Sequence, residues 1–222
     1  AQYNAGTALP LQLFSHLDQT VQWQSSISDK PFETGWGGRL ADLVNAQNDN
    51  NQISMSITLG GTNWFQAGKN VAQFAVGSGG ASTLSLDTRP ELFAARNNAI
   101  KAAFKTPQTN LLGAAFGGVT AQAQADGELL SSVMGGAATL KTVFPGTPTA
   151  ANLAMVARLI SVASTLKVKR QVFFVLLPGF DTHGSQVASH NPLLTELSGA
   201  LKAFYDATVE LGVANHVTTF TA

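Results

Sequence analysis

The stretch QVFFVLLPGFDTHGSQ (171–186) decides the predicted fold, because an apolar run is followed at once by a turn and by polar side chains. Residues 171–177 carry no charge and have the length of a buried β-strand. Pro178 ends that strand, since proline has no backbone N–H to offer a sheet. Asp181 and His183 come next, so the predicted strand delivers a carboxylate and an imidazole to one edge of a sheet.

The residues after this loop predict a helix and then a second strand. LLTELSGALKAFYDATVEL (193–211) has the periodicity of an amphipathic helix. Asn191 and Pro192 suit its N-cap and first position, and Gly212 suits its C-cap. HVTTFT (216–221) alternates as a strand does. Strand, helix and strand form a βαβ unit, so we predict that the two strands are parallel neighbours.

Upstream of this unit, hydrophobic periodicity predicts more helices and short strands. The predicted helices cover 14–24, 35–47, 91–104, 111–134 and 150–166, with a strand over 53–60 and a hairpin or two short strands within 63–80. The whole pattern predicts an α/β fold, a three-layer sandwich with a mostly parallel central sheet. We interpret residues 1–222 as a single α/β domain fragment with an irregular, β-containing insertion around 53–90.

Composition excludes several classes of protein. The chain has 222 residues, 45% of them hydrophobic and 12% charged, with a formal net charge of zero. This is enough for a substantial core, and it lacks the basic patch of a nucleic-acid binder and an apolar run long enough to span a bilayer. The absence of cysteine excludes disulfides, thiolate metal sites and a cysteine nucleophile. The start AQYNAG and the strand-like end VTTFTA lead us to expect a segment of a longer or matured polypeptide.

Asp181 and His183 are the first candidate site. Ligands of open α/β sheets bind beyond the carboxyl ends of the strands, where these two residues are predicted to lie. In extended backbone, residues two apart point to the same side, so both could share one divalent metal. Carboxylate and imidazole together suit zinc or manganese better than magnesium. The alternative is a turn in which Asp181 accepts backbone N–H groups and His183 is exposed.

Four further residues are candidates on local pattern. Ser15 and His16 precede a predicted helix, where a serine can act as a nucleophile if a metal or base activates it; the alternative is an ordinary surface helix start. The G-W-G-G-R turn could present Arg39 to an anionic substrate, or Arg39 could form a surface pair. His190 is a candidate substrate-binding residue of the 178–190 loop, or it simply flanks the helix.

Several strings, taken in order, resemble the DUF1501 family. They are LFSHLDQTVQWQ (13–24), TGWGGRLADL (34–43), PGFDTHGSQ (178–186) and LLTELSGALKAFYDATVELG (193–212). The resemblance covers most of the chain, is most specific over 11–45 and 171–221, and is loose over 60–150. It implies an exported bacterial protein, often with a twin-arginine signal, and an alkaline phosphatase/sulfatase-like fold.

The resemblance also implies roles for particular residues. Active members of that superfamily place a Ser, Thr or modified Cys nucleophile at a helix start, near one or two metals held by Asp and His. Carried over, Asp181 and His183 belong to the metal shell, and Ser15 is the nucleophile with His16 beside it. The D-x-H spacing here departs from the D-x-x-x-H of many superfamily members. The implied cofactor is a divalent metal, whether Zn, Mn, Ca or Mg.

Two functional hypotheses follow. The first is a segment of an exported metal-dependent hydrolase of phosphate or sulfate esters, periplasmic or secreted, acting on an anionic small molecule or polysaccharide ester. The family has further ligand strings that would lie outside residues 1–222, so we expect the remainder of the polypeptide to be needed and this segment to be inactive alone. The alternative is a non-catalytic exported binding or assembly protein that retains the fold. Neither hypothesis involves nucleic acid or a membrane span.

Overall fold

The computed structural model describes residues 4–5, 9–10, 12–30, 32–49, 53–82 and 89–222. Within these ranges the chain forms α-helices and short β-strands. The helices are α1 (His16–Ser25), α2 (Trp36–Val44), α3 (Pro90–Lys105), α4 (Leu111–Met134), α5 (Pro148–Ser161) and α6 (Gln186–Glu210). The strands are β1 (Ser56–Thr58), β2 (Gln73–Ala75) and β3 (Val172–Phe174). None of the described helices combines the length and the apolar character needed to cross a bilayer.

The three strands form one parallel sheet in the order β2-β1-β3. Ile57 in the middle of β1 lies opposite Phe74 on one side and Phe173 on the other. The chain is therefore a mixed α/β protein with a small open parallel sheet. This confirms the predicted α/β class and the parallel direction of the strands in the sheet. The segment interpreted as an insertion supplies the central strand and one edge strand. Within 63–80, β2 is the one strand and it runs parallel to β1, so no hairpin of two strands forms there; Gly77 and Gly80 form an isolated antiparallel bridge.

The predicted strand over 216–221 is wrong, and so is its parallel pairing with 171–177. The chain forms a short 3₁₀ helix at Ala214–His216 and then continues without sheet hydrogen bonds. Val217 is extended, as the alternating pattern favours. Phe220, however, packs its ring on Trp36 at 5.4 Å between centroids, so side-chain contact takes the place of a backbone ladder. β3 consequently lies at an edge of the sheet.

Helix α6 begins earlier than its sequence signals indicate. It starts at Gln186, after Ser185 in the left-handed region (φ 51°), and Pro192 lies inside it rather than at its first position. Proline removes one intrahelical hydrogen bond there. The fixed φ of proline suits the first helical position but is also helical further inside, so Pro192 does not mark the start of α6. The last five of the thirteen residues in the loop expected over 178–190 are therefore helical.

The core consists of two groups of buried side chains. The larger group joins β1 to α4, α5 and α6, with Ile57, Leu130, Leu159 and Phe204 among its members. The smaller one joins α2 to the strands through Ala41, Met55 and Val71. Burial of such side chains contributes about 1.5–3 kcal/mol each, so the apolar stripes of α2, α5 and α6 fix these helices on the sheet.

Asp42 connects α2 to the turn that leads into β2. Its carboxylate accepts hydrogen bonds from the backbone N–H groups of Lys69 (2.7 Å), Asn70 (2.9 Å) and Val71 (2.8 Å). Burial alone would raise the pKa of Asp42, but these three backbone donors together hold that pKa below its usual value. A carboxyl with a lowered folded-state pKa stabilises the fold above its unfolded-state pKa, and this stabilisation is lost as pH falls through the folded-state pKa.

We expect Asp42→Asn to lower the free energy of unfolding by about 1–2 kcal/mol at pH 7, because a neutral amide offers one acceptor oxygen instead of the two oxygens of a negatively charged carboxylate. The difference from wild type should begin to shrink below about pH 4, where the carboxyl of the unfolded chain becomes protonated, and should be lost once pH falls through the lower folded-state pKa. Urea unfolding at pH 7 and at pH 3.5 measures both effects. Asp206→Asn, which disrupts an exposed pair with Lys202, is the control and should change stability by about 0.5 kcal/mol or less. An equal loss for Asp42→Asn at both pH values would contradict this account.

Candidate metal centre

Three side chains from two distant parts of the sequence meet on the surface: His16, Asp181 and His183. His16 Nδ1 lies 3.2 Å from one carboxylate oxygen of Asp181, and His183 Nε2 lies 3.2 Å from the other. One donor atom from each residue lies within 4.8 Å of the other two. The two imidazole rings stack with their centroids 5.8 Å apart. We call these three residues the His-Asp-His cluster.

The loop after β3 presents two members of the cluster. Gly179 has φ 107°, a conformation that favours glycine, and it turns the chain away from the strand direction after Pro178. His190 on α6 then contacts the loop, with Nε2 3.1 Å from the carbonyl oxygen of Phe180 and 3.4 Å from the hydroxyl of Thr182. Phe180 and Thr182, on either side of Asp181 in the sequence, therefore both contact α6 through His190.

Helix α1 supplies the third member. Ser15 is its N-cap, and the hydroxyl oxygen of Ser15 accepts a hydrogen bond from the backbone N–H of Asp18 at 3.3 Å. The S-H-x-D string is thus a helix-capping arrangement, and it places His16 in the first position of the helix. Ser15 directly precedes His16 in the chain and so lies next to the cluster. Its role as a nucleophile remains a prediction.

The donor set fits a divalent cation. Zinc binds nitrogen and oxygen donors at about 2.0–2.2 Å, so two donors of a tetrahedral site lie about 3.4 Å apart. Each imidazole lies 3.2 Å from an oxygen of Asp181, which is close to that spacing, and the two imidazoles contact different oxygens of the carboxylate. The side chains are 73%, 62% and 79% exposed for His16, Asp181 and His183, which leaves positions around an ion open to solvent or substrate. The exposure of His183 agrees with the turn alternative, but the Asp181 carboxylate contacts imidazoles, which that alternative does not include.

The structure gives Arg39 and His190 specific protein contacts. The Arg39 guanidinium donates to the carbonyl oxygens of Thr34 (2.8 Å) and Ser25 (2.7 Å), so it connects the start of α2 to the end of α1. His190 contacts the loop that carries Asp181, as described above. For both residues, substrate binding remains a prediction, and the observed contacts are with the protein itself.

Two glutamines that sequence reasoning passed over contribute to this region. The side-chain oxygen of Gln24 accepts the backbone N–H groups of Trp64 (2.9 Å) and Phe65 (3.1 Å). Gln66 is fully buried and donates to the carbonyl oxygens of Ile57 (3.1 Å) and Val172 (2.9 Å). A glutamine in a polar helix or loop has no periodicity or motif that distinguishes it, so no signal in this one sequence indicates either residue.

Comparison with protein-family models, with curated proteins and with solved structures found no match for this chain. Membership of the DUF1501 family therefore remains a prediction from the strings quoted above. The architecture and the His-Asp-His cluster are observations of the structure itself.

Proposed function

We propose that this chain binds a divalent metal through His16, Asp181 and His183 and belongs to a metal-dependent hydrolase of phosphate or sulfate esters. The observation that carries the proposal is the convergence of three donor atoms within 4.8 Å of one another, one from α1 and two from the loop after β3. Three protein ligands with further positions left open is the arrangement of catalytic rather than structural zinc sites. The proposed nucleophile is Ser15, which precedes His16 at the start of α1.

The donor types favour one class of metal within the proposal. Two imidazole nitrogens and one carboxylate oxygen suit zinc, or manganese as second choice, and suit magnesium and calcium poorly. A bound divalent ion supplies polarisation of an ester oxygen and activation of a nearby nucleophile. The protein supplies the orientation, because α1 and the loop after β3 bring their donors to the same place.

The family, the finer fold and the location form part of the same proposal. The strings around residues 13–43 and 178–212 support a DUF1501 protein with an alkaline phosphatase-like three-layer fold, exported to the periplasm or beyond. The parallel sheet is compatible with that fold. The position of Asp181 and His183 on the loop that follows β3 also agrees with it, because α/β enzymes place their sites there.

Calorimetric titration of the metal-free chain with Zn²⁺, Mn²⁺ and Mg²⁺ tests the metal site. We expect one zinc ion per chain and an affinity for zinc at least about tenfold above that for magnesium, because imidazole is a poor ligand for magnesium. The comparison is a variant with His16, Asp181 and His183 all replaced by alanine. Zinc binding equal in the two proteins would overturn the proposal.

Hydrolysis of p-nitrophenyl phosphate and p-nitrophenyl sulfate tests the reaction. The resemblance to DUF1501 places additional ligands outside residues 1–222, so we expect the 222-residue chain to turn over far below the roughly 10 s⁻¹ of an average enzyme. Ordinary turnover by this chain would contradict the need for outside ligands. Zinc binding with no hydrolysis, even in a polypeptide that includes the outside strings, would favour the alternative of an exported binding or assembly protein.

A further inference from the structure

We infer that Gln24 is the positioning residue that holds His16 at the metal centre. The inference rests on the proposed metal binding and concerns a residue that does not touch the metal. Gln24 lies at the carboxyl end of α1, whereas His16 lies at its amino end. The orientation of the whole helix depends on the Gln24 contact.

Apolar packing fixes α1 only weakly. Of its ten residues, only Val21 and Ser25 are buried. The two largest apolar side chains of the helix, Leu17 and Trp23, are 69% and 62% exposed. A short helix with so little buried surface is free to tilt unless directional contacts hold it.

Besides the contact of His16 with Asp181, directional contacts hold the carboxyl end of the helix. The Gln24 side-chain oxygen accepts from two successive backbone N–H groups, those of Trp64 and Phe65. Arg39 donates to the carbonyl oxygen of Ser25 one residue further on. Because one acceptor oxygen engages two donors of a loop, the Gln24 contact restrains both the position and the rotation of this helix end.

The loop that Gln24 contacts belongs to the framework that carries the other two ligands. Gln66, immediately after Phe65, donates to backbone carbonyls of β1 and β3 at Ile57 and Val172. β3 continues into the loop with Asp181 and His183. Two sets of hydrogen bonds, joined by the peptide bond between Phe65 and Gln66, therefore connect the helix that bears His16 to the strand that leads to Asp181.

The position of His16 is sensitive to the Gln24 contact because the two residues lie at opposite ends of α1. Eight residues separate His16 from Gln24, and an α-helix rises 1.5 Å per residue, so the two lie about 12 Å apart along the axis. A tilt of about 10° at the Gln24 end moves His16 by about 2 Å, which equals a whole metal–nitrogen bond. Loss of the Gln24 contact should therefore remove His16 from the metal while leaving Asp181 and His183 in place.

Two substitutions separate the acceptor from the bulk of the side chain. Gln24→Leu keeps the size and helix propensity but removes the acceptor, and we expect zinc affinity to fall about tenfold, the lower end of what supporting residues cost. Gln24→Glu keeps an acceptor oxygen and should retain affinity within about threefold of wild type. The absorption spectrum of the Co²⁺-loaded protein should change in Gln24→Leu, since one nitrogen ligand is lost, and should be preserved in Gln24→Glu.

A double-mutant cycle with His16→Ala tests whether Gln24 acts through His16. In the His16→Ala background the Gln24→Leu substitution should leave the residual zinc affinity unchanged. An equal fall in both backgrounds would overturn the inference, and so would unchanged affinity and spectrum in Gln24→Leu itself. Absence of zinc binding by the wild-type chain would instead overturn the proposed function. If Gln24→Leu loses its fold by circular dichroism, Gln24→Asn, which withdraws the acceptor by one methylene, replaces it in the cycle.

Discussion

His183→Ala should weaken zinc binding by about a hundredfold, and Asp181→Asn by a similar factor. Even residues that only support a metal ligand cost ten- to hundredfold when replaced, so the loss of a direct ligand should reach the upper value. The fold should be unaffected, because both side chains are mostly exposed and exposed substitutions usually change stability by about 0.5 kcal/mol or less. Calorimetric titration with Zn²⁺ measures the affinity, and urea unfolding of the metal-free proteins measures the stability.

His216→Ala is the matched control for these substitutions. His216 is also exposed, and it lies in the 3₁₀ helix at Ala214–His216, outside the His-Asp-His cluster. We expect zinc affinity and stoichiometry to be unchanged in this variant. Unchanged affinity in both His183→Ala and Asp181→Asn would mean that the cluster is only an exposed set of ion pairs, which are weak and common at protein surfaces.

The roles of His16 and Ser15 can be separated in the same assays. A ligand role for His16 predicts that His16→Ala weakens zinc binding as strongly as His183→Ala does. Ser15→Gly removes the hydroxyl and costs the helix cap only a few tenths of a kcal/mol, so zinc affinity should persist. If Ser15 is the nucleophile, this variant should bind zinc and lose hydrolysis in a polypeptide that is active.

The elements that the sequence predicts well are those in which local signals and burial agree. The apolar run 171–177 contains β3, and the range 111–134 is α4 without a shift at either end. The strand predicted at 216–221 failed because a β-strand needs a second strand with which to form hydrogen bonds. An alternating pattern indicates which side chains lie on the same face, but it does not show whether another strand is close enough to pair. Helix α6 began earlier than predicted because Pro192 is compatible with a position inside the helix as well as at its start.

The cluster was predictable only in part, for a similar reason. The spacing of Asp181 and His183 after a strand brings both to one loop, which local geometry alone favours. The approach of His16 depends on how α1 lies on the sheet, and that depends on side-chain contacts such as those of Gln24 and Arg39. Arg39 was predicted to bind an anion because its charge is visible in the sequence, whereas its carbonyl partners are visible only in the fold.

Gly38→Ala should lower the free energy of unfolding by about 3 kcal/mol, at the upper end of the cost of overpacking. Helix α2 meets the 64–68 loop backbone to backbone, with the N–H of Gly38 donating to the carbonyl oxygen of Phe65 at 2.9 Å. A Cβ atom at Gly38 would lie 2.2 Å from the carbonyl carbon and oxygen of Ala67. Backbone atoms cannot rotate away as a side chain can, so α2 would have to separate from the loop.

Gly118→Ala is the control, and we expect it to raise the free energy of unfolding where Gly38→Ala lowers it. Gly118 is also a helical glycine, in α4, but a Cβ atom there meets nothing within 4 Å. Helix propensity alone makes Gly→Ala stabilising by about 0.8–1 kcal/mol, and Gly118→Ala should show that gain in urea unfolding. A stabilising Gly38→Ala would contradict the close contact. Because the 64–68 loop also receives Gln24, Gly38→Ala should weaken zinc binding as well, and Gly118→Ala should not, which links the packing of α2 to the geometry at His16.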